Sequence, residues 1–206
     1  MQGPYGPSFN QLRESPMKPA PAIFLILNGL SLPCTTLAVE QDDPFPLLMT
    51  GCFEVTFHYV EDGDHDKVYE PVIEKAELIE TNPIRIQRTM LLGSFQQKHW
   101  SEEWIELEKD IWQQTVHGPY GDFRYQCEGL WEGGQWNCLA GAAAKPRRDK
   151  DREYNVLDRF NTLQINPLRY VHMQRNTKIR SDGSIYGREV GWNVYERISD
   201  ELCELP

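Results

Sequence analysis

Lys98, His99 and Trp100, followed by Glu102 and Trp104, set a cation, an imidazole, a carboxylate and two indoles close together in the chain. On an extended strand Lys98, Trp100, Glu102 and Trp104 share one face, while His99 and Ser101 take the other. Indole faces supply apolar area and attract cations, which suits a pocket for an aromatic or amphipathic ligand. The plainer role for the same residues is a sheet wall with ion pairs on its outer side. A second concentration runs from Lys145 through Arg147, Arg148 and Arg152 to Tyr154 and Arg159. Paired arginines suit bidentate capture of a carboxylate or phosphate, although Asp149, Asp151 and Glu153 are interleaved where they could neutralise them. Asn155, Leu157, Arg159 and Asn161 fall on one strand face, and burying that face requires polar partners, from a polar interior or from a ligand. His172, Gln174 and Asn176 add groups able to orient a ligand by hydrogen bonds.

Other chemistries lack their residues. His58, His65, His99, His117 and His172 never stand two or four positions apart, so no local metal pair forms on one strand or helix face. The run Asp62-Gly63-Asp64-His65-Asp66 begins like a calcium loop, but Lys67 stands where such a loop needs glycine and Ile73 where it needs a bidentate glutamate. A solvated turn is the expected role, with neither metal nor cofactor. There is no nucleophile elbow, P-loop or dinucleotide-binding glycine pattern. A formal net charge of −10 argues against general nucleic-acid binding. The charge is uneven, however: residues 145–180 hold ten Lys and Arg against four acids.

These groups must be positioned by sheet. Strands are predicted over 52–60, 74–79, 84–92, 96–107, 123–131, 135–140, 154–165, 170–180 and 192–198. The first has Phe53, Val55, Phe57 and Tyr59 on one face and Glu54, Thr56 and His58 on the other. Asp62-Gly63, Thr81-Asn82-Pro83, Gly118-Pro119, Gly133-Gly134, Asn166-Pro167 and Ser181-Asp182-Gly183 supply reversals. Residues 102–113 are ambiguous between strand and helix. Nine strands joined mainly by hairpins predict an all-β fold, an antiparallel up-and-down meander closing into a lipocalin-like (calycin-type) barrel, with a two-sheet β-sandwich second.

Residues 17–38 have the layout of a secretory signal peptide: Lys18, an apolar stretch, then Thr36 and Ala38 as small residues before a cleavage site. The apolar stretch is short for a membrane span, so no transmembrane segment is expected after cleavage. Residues 1–16 read as an extension before the natural start at Met17, and 39–206 as one β-rich domain. Pro33 argues against lipid attachment at Cys34. Cys52, Cys127, Cys138 and Cys203 would then enter an oxidising compartment. Cys127 and Cys138 flank the Gly133-Gly134 turn and are the preferred pair among three connectivities.

Ordered segments of the chain resemble a bacterial family of exported proteins described as a domain of unknown function. They are Gly51-Cys52-Phe53-Glu54-Val55-Thr56-Phe57, Lys98-His99-Trp100 with Trp104, Gly129 with Trp131, and Pro146-Arg147-Arg148. After them come Tyr154-Asn155-Val156 with Arg159 and Asn161, then Val171-His172 with Gln174, Asn176 and Lys178, and lastly Gly191-Trp192-Asn193 with Tyr195. The resemblance implies export, to the periplasm or cell envelope, but no activity. Two departures stand out: a shorter stretch between Glu61 and Lys75, and an end at Pro206 where the family pattern continues into a Trp-rich tail.

The expected function is binding of a small amphipathic or anionic molecule in the barrel by His99, Trp100, Trp104, Arg147, Arg148, Tyr154, Arg159, His172, Gln174 and Asn176. The rival is an enzyme using His99 or His172 as acid or base near Arg159 and Asp158. A third reading is an envelope module without a ligand, whose interior polar groups satisfy one another.

Overall fold

The computed structural model describes residues 43–62, 69–146 and 149–204. The signal-like segment, the extension before it, residues 63–68 of the acidic turn and the Arg147-Arg148 pair lie outside the described residues. Ten strands follow one another: β1 (Gly51–Glu61), β2 (Val72–Thr81), β3 (Ile84–Leu92), β4 (Phe95–Glu108), β5 (Ile111–His117), β6 (Phe123–Glu132), β7 (Gln135–Ala144), β8 (Val156–Asn166), β9 (Arg169–Ile179) and β10 (Ile185–Arg197). Each pairs antiparallel with its predecessor, and β10 pairs with β1, closing an up-and-down barrel as the meander predicts. Closure leaves no sheet edge to protect, and the sandwich alternative is ruled out.

The strand count is corrected from nine to ten. The added strand is β5, which begins within the ambiguous stretch. β4 runs on to Glu108 and reverses through Lys109 and Asp110, the latter at φ 63°. Aspartate is among the few side chains that tolerate this left-handed conformation, so the turn needs neither Gly nor Pro. Beyond it Trp112, Gln114 and Val116 alternate inward. Boundaries also move: β2 extends to Val72–Thr81, β7 runs on to Ala144, β8 starts at Val156, leaving Asn155 exposed, and β10 begins as early as Ile185.

The interior is stratified. At one end a 3-10 turn, Phe45–Met49, plugs the barrel. Phe45 stacks on Trp131 at 4.3 Å between centroids and meets Trp104 and Trp112 edge-on at 5.2 and 5.3 Å. Trp136 completes this apolar layer, in which each fully buried large side chain contributes about 2–3 kcal/mol. Above it the inward positions turn polar: Arg88, Glu74, Glu102, Gln114, Asn161 and Asn193 are all buried. Two disulfides fasten the wall. Cys52–Cys203 ties β1 to the 3-10 turn Asp200–Cys203, and Cys127–Cys138 ties β6 to β7.

Candidate functional site

Above the aromatic plug the barrel holds a cavity of about 580 Å³, the size that takes a drug-sized molecule. One side is apolar and aromatic, with Phe57, Tyr59, Tyr69, Met90 and Trp100; the other is polar, with Arg124, Tyr125, Arg159, His172, Gln174 and Asn193. Gly191 on β10 makes room for that wall: a Cβ there would stand 2.5 Å from the Tyr59 ring. The residues facing the cavity come from different strands and acquire their proximity only when the barrel closes.

The floor is a charge network centred on Arg88, which stands in the inward phase of β3 after Ile84 and Ile86. Its guanidinium donates to Glu102, to Glu74 at 3.3 Å and to the Tyr170 hydroxyl, and it lies over the rings of Trp100, Tyr170 and Tyr195. Glu102 also accepts from Trp100 at 3.3 Å, Trp104 at 3.1 Å and Gln114 at 2.9 Å. Burial alone would push its carboxyl up, but the Arg88 charge and these donors outweigh it and hold the group below the ordinary carboxylate range. Glu74 contacts His99 Nδ1 at 2.7 Å.

The inward position of His99 corrects the simple alternation. Gln87 pairs with Ser101 but Thr89 pairs with Lys98, so His99 and Trp100 both stand opposite Arg88 in a β-bulge. The extra residue brings imidazole and indole to the same side, where both line the cavity with ring centroids 3.7 Å apart.

Arg159 and Arg124 carry positive charge on the polar side. Arg159 Nε donates to Asn176 at 3.0 Å and its guanidinium lies over Tyr125. Arg124 donates to the Ala144 carbonyl at 3.0 Å; burial and the neighbouring Arg159 charge both lower its pKa. Among the described residues neither guanidinium has a carboxylate within ion-pair distance. His172 Nε2 meets Asn161 Oδ1 at 3.0 Å. Burial first, and then the Arg159 charge, push the imidazole pKa down to about 3.

That depression gives a pH dependence of fixed sign. The unfolded chain protonates His172 near 6.5 and the folded protein only near 3, so between those values the unfolded state binds the extra proton. His172 therefore lowers stability as pH falls through this window, by at most about 1.4 kcal/mol per pH unit, less what cavity water screens. The variant His172→Gln, which keeps a donor for Asn161, is expected to match the parent at pH 7 and to exceed it by roughly 2 kcal/mol at pH 4 in urea unfolding. Parallel pH profiles would mean that His172 is not held neutral.

Of the residues expected at the site, His99, Trp100, Arg159, His172 and Gln174 line the cavity. Trp104 does not: it is buried in the plug beneath and only its indole N–H reaches up, to Glu102. Asn176 sits behind Arg159 and donates to Glu189 at 3.0 Å. Tyr154 belongs to a separate buried cluster, bonded to Asp149 at 2.5 Å; burial, then that bond, raise its phenol pKa. In the same cluster Lys178 meets Glu61, Asp149 at 3.4 Å and Glu189 at 3.3 Å, and Arg152 meets Glu61 and Asp149. Asp158 points outward, away from His172. Arg147 and Arg148 lie outside the described residues, next to Pro146, which does line the cavity. Arg88, Glu74, Gln114, Arg124, Tyr125 and Asn193 were missed. Arg88 and Gln114 had a signal, each standing in the apolar phase of its strand.

No family model and no curated protein matches the chain. Among solved structures, the S-type phycobiliprotein lyase CPES from Guillardia theta aligns at 7% identity over 75% of this chain and 91% of its own, with a TM-score of 0.47. A conserved protein of unknown function with a hot dog fold from Alicyclobacillus acidocaldarius aligns at 8% identity over 73% of this chain and 80% of its own, with a TM-score of 0.20. At these values neither likeness bears on function.

Proposed function

We propose that this is an exported binding protein whose barrel holds a small amphipathic anion. The observation that carries the reading is the pair Arg124 and Arg159, two cavity-facing guanidiniums without a carboxylate partner among the described residues, opposite the aromatic wall of Phe57, Tyr59 and Trp100. A carboxylate or phosphate placed between them relieves their mutual repulsion and gains charge-assisted hydrogen bonds, while its apolar body covers the aromatic side. Export is supported by the signal-like segment 17–38 and by two disulfides, which persist in oxidising compartments. Kinship with the exported family rests on the quoted segments, several of which supply cavity residues.

Native mass spectrometry of protein purified from its own host is expected to show a small anionic molecule that leaves on denaturation. The double variant Arg124→Met/Arg159→Met, folded by circular dichroism, should bind it at least 100-fold more weakly, since each charge-assisted contact is worth about 1.5–3 kcal/mol. Unchanged occupancy in that variant would reject the assignment.

A second reading, an enzyme, is favoured by the contact of Glu74 with His99, because a buried carboxylate that orients a cavity-facing imidazole is the arrangement of a general base. The described lining residues include no Ser, Thr or Cys to serve as nucleophile, and binding remains the better account.

A further inference from the structure

The apolar side of the cavity is made of rings more than of chains. Phe57, Tyr59, Tyr69 and Trp100 supply it, with Val72 and Met90 as its aliphatic members. Elsewhere in the protein rings pair in parallel: Phe45 on Trp131 at 4.3 Å in the plug, Tyr170 on Tyr195 at 4.0 Å at the floor, and His58 on Trp192 at 5.2 Å on the outer face. At the cavity wall Tyr69 instead meets Phe57 and Tyr59 edge-on, at 6.4 and 5.7 Å with interplanar angles of 72° and 75°. Among the described residues neither Phe57 nor Tyr69 has a parallel ring or a cation against its face. Both rings are also accessible: Phe57 is half-buried and Tyr69 is 41% exposed.

The surrounding wall is fixed in place. Trp100 donates its indole N–H to Glu102 at 3.3 Å and has the Arg88 guanidinium 5.9 Å over its ring. Tyr59 leans over Gly191, where a Cβ would stand 2.5 Å from the ring. Phe57 shares a rung of the inner wall with Asn193 and His172, and Tyr59 shares the next with Gly191 and Gln174, so ring surface and polar groups lie side by side. A wall already ordered loses little freedom when a ligand arrives, and a flat ring has no internal rotations to freeze, whereas an alkyl chain must give up many. Ring-on-ring contacts also add to what apolar area alone contributes.

We infer that the ligand's apolar body is a flat aromatic ring system, so that the site takes an aromatic carboxylic acid, its carboxylate at Arg124 and Arg159 and its ring against Phe57 and Tyr69. The inference rests on the proposed anion-binding reading and adds a requirement for π surface that fatty acids and saturated ring acids do not meet.

Three probes isolate that requirement. Naphthoate and its fully hydrogenated counterpart, decalin carboxylate, share charge and fused-ring frame and differ in aromaticity, while laurate carries the same charge on a flexible chain. Calorimetric titration of the full chain with its disulfides intact, below micelle-forming concentrations, is expected to show naphthoate binding about tenfold or more tightly than decalin carboxylate. The variant Phe57→Leu/Tyr69→Leu, folded by circular dichroism, keeps apolar bulk without the rings. It should shrink the preference to about threefold or less and leave decalin carboxylate affinity within about threefold. An undiminished preference in that variant would overturn the placement of the ring against Phe57 and Tyr69. Equal affinities of the parent protein for the two ring acids, or tighter binding of decalin carboxylate, would overturn the aromatic inference and leave anion binding standing. Binding of laurate with neither ring acid bound would do the same. If none of the three binds, the aromatic inference and the anion-binding reading fall together.

Discussion

Replacing Lys178 with methionine is expected to lower the unfolding free energy by roughly 3–5 kcal/mol. Lys178 is 1% exposed and lies against Glu61, Asp149 and Glu189, with its ammonium 5.6 Å from the Tyr154 ring centroid. Arg152 is a second cation of the cluster and meets Glu61 and Asp149, and Glu189 also accepts from the Asn176 amide at 3.0 Å. Removing one partner of a buried ion pair costs several kcal/mol, far more than an exposed ion pair contributes. The cluster also has a functional position: it fastens the segment around Asp149 and Arg152 to β1, β9 and β10, beside Pro146 at the cavity. Urea unfolding of Lys178→Met and of Lys178→Met/Glu189→Gln measures the effect, and the second substitution should recover part of the loss because the two sites are coupled. A single-variant loss below 1 kcal/mol would show that water already solvates the cluster.

What could be read from the chain follows from how local each feature is. Alternation in β1 needs only its own residues, and Phe53 and Val55 are buried as read while Phe57 and Tyr59 line the cavity. The turn at Asp110 escaped notice because its signal is one aspartate rather than Gly or Pro. Simple alternation sets His99 on the face opposite Trp100, because the bulge that brings both to one side depends on the pairing of β3 with β4, which no residue near position 99 announces. Charged interior residues were the larger omission. Arg88 follows Ile84 and Ile86 at period two, Glu102 lies between Trp100 and Trp104, and Gln114 lies between Trp112 and Val116. A polar residue in the apolar phase of a strand marks either an outward slip or a buried network, and partners distant in sequence decide between them. Glu74 lies 14 residues from Arg88 and Tyr170 lies 82 from it, so the network was invisible before closure.

Arg88→Met supplies the other large expected effect, a loss of about 3–5 kcal/mol together with loss of ligand binding. The guanidinium links the carboxylates of Glu74 and Glu102 beneath the cavity and donates to the Tyr170 hydroxyl, with π faces around it. In the variant Glu102 keeps three neutral donors, Trp100, Trp104 and Gln114, whereas among the described residues Glu74 keeps only His99. Glu74 should therefore be the more damaged of the two, and Arg88→Met/Glu74→Gln should regain more stability than Arg88→Met/Glu102→Gln. Lysine cannot substitute well, because one ammonium does not span two carboxylates and a phenol in the geometry of a planar fork. Denaturant titration of the four proteins tests this order. Equal rescue by the two glutamine substitutions would mean that the carboxylates share the charge evenly and that Glu102's neutral donors add little. The coupling to the proposed binding has a physical basis: Glu74 contacts His99, and Glu102 contacts Trp100, so the residues that neutralise Arg88 also fix two side chains facing the cavity.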